Sequence, residues 1–387
     1  MALSRWFAVG SAAGSDPDAG AHAAEQALLN DDAKLVVVFC SPSYDLPILL
    51  RSIRDRSGHV PLVGCTTAGE IATGADGDAS VVVAALGGDG FAIQTSVATN
   101  ASRDLRGAGA RAARCVGWDA DRPHRALMLL TDGLAGDQEE IVRGAFGILG
   151  AGVPLVGGCA GDDLKMTKTF QLYDDRVLSD SVLGAGIVSD APLGIGVRHG
   201  WRAVGEPMLV TRSSGNRVYT LDDRPALDVY LEHLGAAKGD GLDEEGLTRL
   251  SLTHPLGVSR PAGEEQVRFI GGGDFEERSL ACIAAVPQGA LVWIMEGDAG
   301  SVLDATDAAC SDSLSALEGR PPLGMLAFDC VARRGVLGEQ RVKAEISRLA
   351  ESAGGAPVAG FYTYGEIART RGMRGFHNQT LVVLSIG

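Results

Sequence analysis

The sequence predicts an α/β protein of two related lobes, each a mixed sheet flanked by helices and built from repeated strand-helix-strand units. Three observations lead there. Continuous apolar runs such as Leu35-Val36-Val37-Val38-Phe39-Cys40 read as strands covered on both faces. Such runs alternate with segments whose apolar residues recur at helical spacing, as in Gln138 to Leu149. Finally, one stretch occurs three times: Pro61-Leu62-Val63-Gly64 leads to Glu70-Ile71, Pro154-Leu155-Val156-Gly157 to Asp163-Leu164, and Pro357-Val358-Ala359-Gly360 to Glu366-Ile367, with the acid always at the same offset.

In chain order, Trp6 to Gly10 is a first strand, followed by the turn Gly14-Ser15-Asp16-Pro17 and an Ala-rich helix to about Asn30, with Asp16 as cap and Pro17 at the first helical position. The strand from Leu35, a helix over Leu46 to Ser57 and the first Pro-x-x-Gly copy complete one unit. A strand from Ser80 to Leu86, a helix from Ser102 to Val116, a strand from Ala126 ending in Thr131-Asp132-Gly133 and a helix over Gln138 to Leu149 lead to the second copy. Phe170 to Tyr173 and Val177 onward form a hairpin, continuing into strands at Val182 to Val188 and Leu193 to Val197.

Beyond Trp201 the texture changes. A hairpin turns at Ser214-Gly215-Asn216, a helix runs from Pro225 to Leu234, Ala236 to Glu245 is an exposed loop, and strands occupy Gln266 to Ile270 and Leu280 to Val286. The last third returns to the opening order: a strand at Ala290 to Met295, a helix over Ser301 to Leu317, a strand at Gly324 to Cys330, a helix over Leu337 to Glu351, the third copy, and a closing strand at Leu381 to Ile386. With 387 residues two domains are expected, divided as 1–205 and 206–387.

Each copy of the repeated stretch reads as a strand running into a turn. Proline, lacking an N–H, fits a strand's first residue, and glycine permits a bend or a close backbone approach. In the first and third copies the acid follows a second glycine, so its oxygens leave the strand end where they meet either a ligand or loop amides.

Composition excludes several classes. A net charge of −15 argues against nucleic acid, which is held by clustered Lys and Arg, and against anionic membrane surfaces. No run approaches the roughly 20 apolar residues of a membrane span, and the apolar run at the start is too short for a secretory signal. Seven cysteines without a Cys-x-x-Cys pair suit a reducing cytoplasm and rule out covalent haem attachment. There is no Gly-x-x-x-x-Gly-Lys phosphate loop and no Gly-x-Ser-x-Gly elbow, and Gly157 to Gly161 lacks the spacing of a dinucleotide site.

The strand ending Phe39-Cys40-Ser41-Pro42, the stretch Gly64-Cys65-Thr66-Thr67-Ala68-Gly69-Glu70-Ile71, then Tyr364-Gly365-Glu366-Ile367 and His377-Asn378-Gln379-Thr380 resemble the paired N- and C-terminal FIST domains (F-box and intracellular signal transduction), over nearly the whole chain. The resemblance implies a sensory, ligand-binding protein, not an enzyme, that reports to a separate signalling partner. It is similar to stand-alone bacterial members that bind haem and sense nitric oxide, acting on a histidine kinase in a two-component system and through it on cyclic-di-GMP output. No F-box, kinase or cyclase segment is visible.

Candidate ligand residues follow from the repeated corners: Cys65, Thr66, Thr67 and Glu70 in the first, Asp163 in the second, Tyr362, Tyr364 and Glu366 in the third, with His377 and Asn378 before the closing strand. Haem iron takes an axial His, Cys or Tyr; His377 is the first candidate and His254 the second. A site of Thr, Tyr and Glu equally suits a polar metabolite such as an amino acid. A hydrolase pairing Glu70 with Glu366 is a further alternative.

Overall fold

The computed structural model describes residues 4–14, 18–74, 80–235, 243–259, 266–370, 372 and 375–387. The expected cap and first-turn proline, Asp16 and Pro17, lie outside the described residues, as does most of the expected loop at 236–245. From Asp243 onward that stretch is helix, with Asp243 accepting from the Gly246 amide as N-cap.

The chain builds one α/β unit three times. The first contains β1 (Trp6–Ala12), α1 (Ala19–Ala27), β2 (Ala33–Cys40), α2 (Leu46–Ser57), β3 (Leu62–Thr66), β4 (Glu70–Ala72) and β5 (Val81–Gly87). The second contains β6 (Phe91–Thr99), α3 (Leu105–Ala112), β7 (His124–Thr131), α4 (Gln138–Leu149), β8 (Leu155–Cys159), the hairpin β9 (Gln171–Tyr173) and β10 (Arg176–Leu178), and β11 (Ser181–Ser189). The third opens with β12 (Leu193–Arg198) and is interrupted by an inserted domain: β13 (Arg202–Ser214), β14 (Arg217–Leu221), β15 (Arg224–Pro225), α5 (Ala226–His233), α6 (Glu244–Thr253), β16 (Leu256–Val258), β17 (Gln266–Arg268), β18 (Ile270–Asp274), β19 (Ser279–Cys282) and β20 (Leu291–Glu296). It resumes with α7 (Ala299–Ser315), β21 (Gly324–Cys330), α8 (Val331–Ser352), β22 (Val358–Thr363), β23 (Glu366–Arg369), β24 (Phe376–His377) and β25 (Leu381–Ile386).

The sheet orders make the repeat explicit. They run β1-β5-β2-β3, β6-β11-β7-β8 and β12-β25-β21-β22, each with a parallel central pair. Each sheet is then extended by strands from a neighbouring segment: β9 and β10 join β3, β23 and β24 join β8, and β4 joins β22. The mixed sheets flanked by helices match the predicted class.

Two-sided burial explains the unbroken apolar runs. On β2, Leu35, Val37 and Phe39 face a central core shared with Met128, Leu130, Leu326 and Phe328, while Val36, Val38 and Cys40 face α1 and α2. The alternate residues Leu127 and Leu129 of β7, and Met325 and Ala327 of β21, likewise face their own helices. Three sheets therefore enclose one core, with Phe39 4.6 Å from Phe361 and Phe328 edge-on to both. The inserted domain has a separate core around Val210, Tyr230, Leu256 and Val292.

Two helices differ from expectation. The one expected from Ser102 to Val116 is broken at Asp104, whose side chain accepts from the Gly107 amide at 2.8 Å to start α3, with short 3-10 turns at Ala101–Arg103 and Ala113–Cys115. The one expected from Leu337 begins at Val331 and breaks at Gly338.

Candidate functional site

The repeated glycine has one physical cause in all three copies. A Cβ on Gly64 would lie 2.4 Å from the Val38 carbonyl oxygen, on Gly157 1.9 Å from that of Leu129, and on Gly360 2.0 Å from that of Ala327. Each contact is with the parallel neighbour strand, so only glycine lets the two backbones approach. The chain then turns. In the first corner Thr67 Oγ1 donates to Glu70 Oε1 at 2.5 Å and accepts from the Gly69 amide at 3.2 Å. The third repeats this, with Thr363 Oγ1 donating to Glu366 Oε1 at 2.5 Å and accepting from Gly365 at 3.1 Å.

The second corner departs, because Ala160 stands where the others have threonine. Its organiser is Asp162, which the sequence reading passed over in favour of Asp163. Asp162 accepts from the amides of Met166, Thr167 and Lys168 at 2.7–2.9 Å and from the Tyr364 hydroxyl. Burial alone would raise its pKa, but the Tyr364 hydroxyl and these amides outweigh it and hold the carboxyl at about 2. A signal was present, since an Asp followed within six residues by Thr and Lys in a Gly-bounded loop is a side-chain-to-backbone turn former.

The three corners meet. Ala68 N donates to Tyr362 O at 3.0 Å and Tyr362 N to Gly69 O at 2.7 Å, joining the first and third. Gly161 N donates to Thr66 O at 2.9 Å and Asp163 N to Thr67 O at 3.2 Å, joining the second to the first. Cys159 N to Gly365 O at 2.8 Å and Tyr364 N to Cys159 O at 3.2 Å close the ring. The junction therefore sits at the carboxyl ends of the parallel strand pairs, where α/β sheets commonly present their crevices.

Of the predicted residues, Glu70, Asp163 and Tyr364 reach the solvent side of this junction. Arg334, not anticipated, joins them: its Nη1 donates to Ala68 O at 2.6 Å and its guanidinium lies 5.3 Å from the Tyr362 ring centre. A paired Arg333-Arg334 three and four residues past the end of an apolar strand was the available clue. Burial pushes Glu70 up to about 8, helped by the Asp163 charge and opposed by the Thr67 hydrogen bond and Arg334. Glu366 is also raised to about 8 by burial, against bonds from Thr363 and the Thr380 amide. Both carboxyls hold their proton at neutral pH.

The remaining candidates are enclosed. Glu366 lies under the turn at 378–380, with Thr380 N donating to its Oε2 at 3.0 Å. Only Glu70 of the two glutamates meets solvent, which leaves no shared access for paired-acid hydrolysis. Cys65 is in the core with its thiol pushed well up by burial, Thr66 Oγ1 accepts from Phe170 N at 3.0 Å, and Tyr362 donates to Glu345 at 3.2 Å. Asn378 is buried beside Thr380, whose hydroxyl donates to its carbonyl at 2.9 Å.

His377 and His254 are apart from the mouth. His377 Nε2 is 2.9 Å from Ala368 O, and His254 Nδ1 is 2.9 Å from Thr253 Oγ1 at the end of α6. Among the described residues no group of three His, Cys, Asp or Glu is placed to hold a metal ion. A cleft of about 290 Å³ lies beyond the 163–168 loop, lined by Ser102, Asp132, Thr167, Lys168, Thr169 and Asp180 among others. Its Asp132 oxygens are already taken by Leu134 N, Thr169 Oγ1 and Asp180 N at 2.7–2.9 Å.

Behind the mouth, Arg333 is fully buried between Asp329 and Glu345, at 2.6 and 2.7 Å. Burial pushes Asp329 well up, with Arg333 opposing, and its Oδ2 has no protein partner. The network also takes in Thr306 and the His199 carbonyl.

Fold and side-chain placement together define an α/β protein of three fused units, with Glu70, Asp163, Tyr364 and Arg334 gathered at their junction and an inserted sheet domain. The chain belongs to the FIST family, for the profile of the FIST N domain matches residues 34–224 and that of the FIST C domain residues 226–369. FIST domains are sensory modules of signal transduction. The chain is 27% identical over 235 residues to the uncharacterized protein Rv0628c of Mycobacterium tuberculosis, covering 59% of this chain and 60% of that one. It is 30% identical over 158 residues to the uncharacterized protein MJ1623 of Methanocaldococcus jannaschii, covering 38% and 30%. The match thus spans about 60% of the length of the mycobacterial relative. Among the described residues no helix is long and apolar enough to cross a membrane.

Proposed function

We propose that this protein senses a small amphoteric metabolite, an amino acid for example, at the junction mouth and signals through a separate protein. The observation that carries this is the presence of both charges on one rim: the Arg334 guanidinium suits a carboxylate, Asp163 an ammonium group, and protonated Glu70 supplies a donor between them. Tyr364, tied to Asp162, fixes the loop that carries Asp163.

The test is a thermal-shift screen of free amino acids and small polar metabolites, followed by calorimetry on hits. Binding weakened about tenfold or more by Arg334→Ala and by Asp163→Asn supports the reading; binding indifferent to both places the ligand elsewhere. Hemin titration belongs in the same screen, since a Soret band lost on His377→Ala would return the haem-based nitric oxide reading to first place. The partner is proposed as a histidine kinase or another component of a cyclic-di-GMP pathway, and autophosphorylation of such a kinase with and without the protein is its assay.

A further inference from the structure

We propose that residues 331–337, the first turns of α8, are a lever that carries the state of the junction mouth to the inserted domain, with Gly338 as the hinge; this rests on the junction being the ligand site. The segment touches both regions, and its backbone joins the rest of the helix through a break at a single glycine, across which the side-chain pairs Arg333–Glu345 at 2.7 Å and Arg334–Glu339 at 3.2 Å reach. Gly338 has φ 66 and ψ 163, a conformation open essentially to glycine alone, and nothing lies within 4 Å of where its Cβ would be. Packing does not require glycine there; the backbone break does.

On the mouth side, Arg334 holds the first corner through Ala68 O and leaves no room for a side chain on Gly69, whose Cβ would lie 2.2 Å from Nη1. On the opposite side, Arg333 donates to His199 O at 3.0 Å, in the linker through which the chain enters the inserted domain. Val336 and Leu337 pack with Trp201, Val267 and Met295, which belong to that linker and domain. A Cβ at Gly335 would stand 3.7 Å from the Leu252 side chain of α6. The same end of α6 is gripped from the third corner, where Gln379 donates to Leu252 O at 3.0 Å and the next residue, Thr380, donates to Glu366.

A ligand anion that takes Arg334 competes with the Ala68 carbonyl and the Glu339 carboxylate for the guanidinium. Loss of that anchor lets the segment turn about Gly338, and the contacts of Arg333, Gly335, Val336 and Leu337 with the linker and the inserted domain sit on the part that turns, while Gln379 holds Leu252 from outside it. The inserted domain is then the output element, and its seating on α7 and α8 is what the ligand changes.

Hydrogen exchange on the full chain, without ligand, tests this. Arg334→Ala is expected to speed exchange about fivefold or more in 246–258 and 266–274, which Arg334 does not touch, whereas Arg348→Ala, beyond the hinge and paired with Asp304 and Asp307, leaves those segments unchanged. Should the alanine variant not fold, Arg334→Gln gives the same readout. In a Gly338→Ala background the Arg334 substitution is expected to lose its remote effect. Changes confined to 66–72 and 331–339, or a remote effect undiminished by Gly338→Ala, overturn the lever. Metabolite binding at the mouth without the exchange pattern discards the lever and keeps the site; the pattern without any binding does the reverse.

Discussion

Replacing Glu366 by glutamine should remove a defined part of the protein's pH dependence of stability. Burial holds this carboxyl at about 8 against an ordinary value of 4.5, a gap worth on the order of 5 kcal/mol at 1.36 kcal/mol per unit. The folded pKa lies above the unfolded one, so the folded chain holds one proton more across that interval. The stabilisation is complete below about pH 4.5 and is lost as pH climbs towards 8, with a slope of at most about 1.4 kcal/mol per pH unit. Glutamine keeps an oxygen for the Thr380 amide and turns an N–H2 to Thr363, whose hydroxyl then accepts where it had donated, and it does not titrate. Urea unfolding of both proteins across that window should therefore show wild type losing ground to the variant as pH rises. Glu70 titrates over the same range in both and cancels in the difference. Parallel stability curves would refute the claim that Glu366 is protonated in the fold.

Three further outcomes follow from the geometry. Gly360→Ala places a methyl 2.0 Å from the Ala327 carbonyl oxygen between paired strands and should cost about 3 kcal/mol or more, whereas Gly147→Ala, helical, exposed and with nothing within 4 Å, should stabilise by about 0.5 kcal/mol; thermal melts read both. Arg369 is buried and donates to the carbonyls of Gly150, Val153 and Gly372, capping the end of α4, so Arg369→Ala should cost about 2 kcal/mol or more in unfolding free energy. Asp162→Asn weakens the acceptor that ties together Met166, Thr167, Lys168 and Tyr364, and limited proteolysis should cut within 163–168 several times faster than in wild type.

Much of this was legible in the residues. The runs at Leu35 to Cys40, Ala126 to Leu130 and Gly324 to Cys330 read as strands buried on both faces, because they are too short for an ordinary helix and leave no polar face for solvent. The Pro-x-x-Gly repeat marked the junction because its glycines answer a local demand, the approach of one backbone to its neighbour. The strand β6 escaped notice because its half-buried mixture of Ile, Gln, Thr and Ser has no strong period. The break at Gly338 escaped because a lone glycine within a helical pattern is usually absorbed.

What the sequence determined by itself was the α/β class, the repeated corner and the choice of residues at it, since propensity, periodicity and steric need act within a few residues of chain. Only the tertiary structure decided that β4, β9 and β23 each complete a sheet begun elsewhere, that Glu70 opens to solvent while Glu366 is sealed, and that Arg334 crosses to the first corner. Those outcomes depend on contacts between residues far apart in the chain, such as Arg334 with Ala68, 266 positions away, and the energies that select them, burial of a carboxyl and pairing of a strand edge, exist only once the distant partner has arrived.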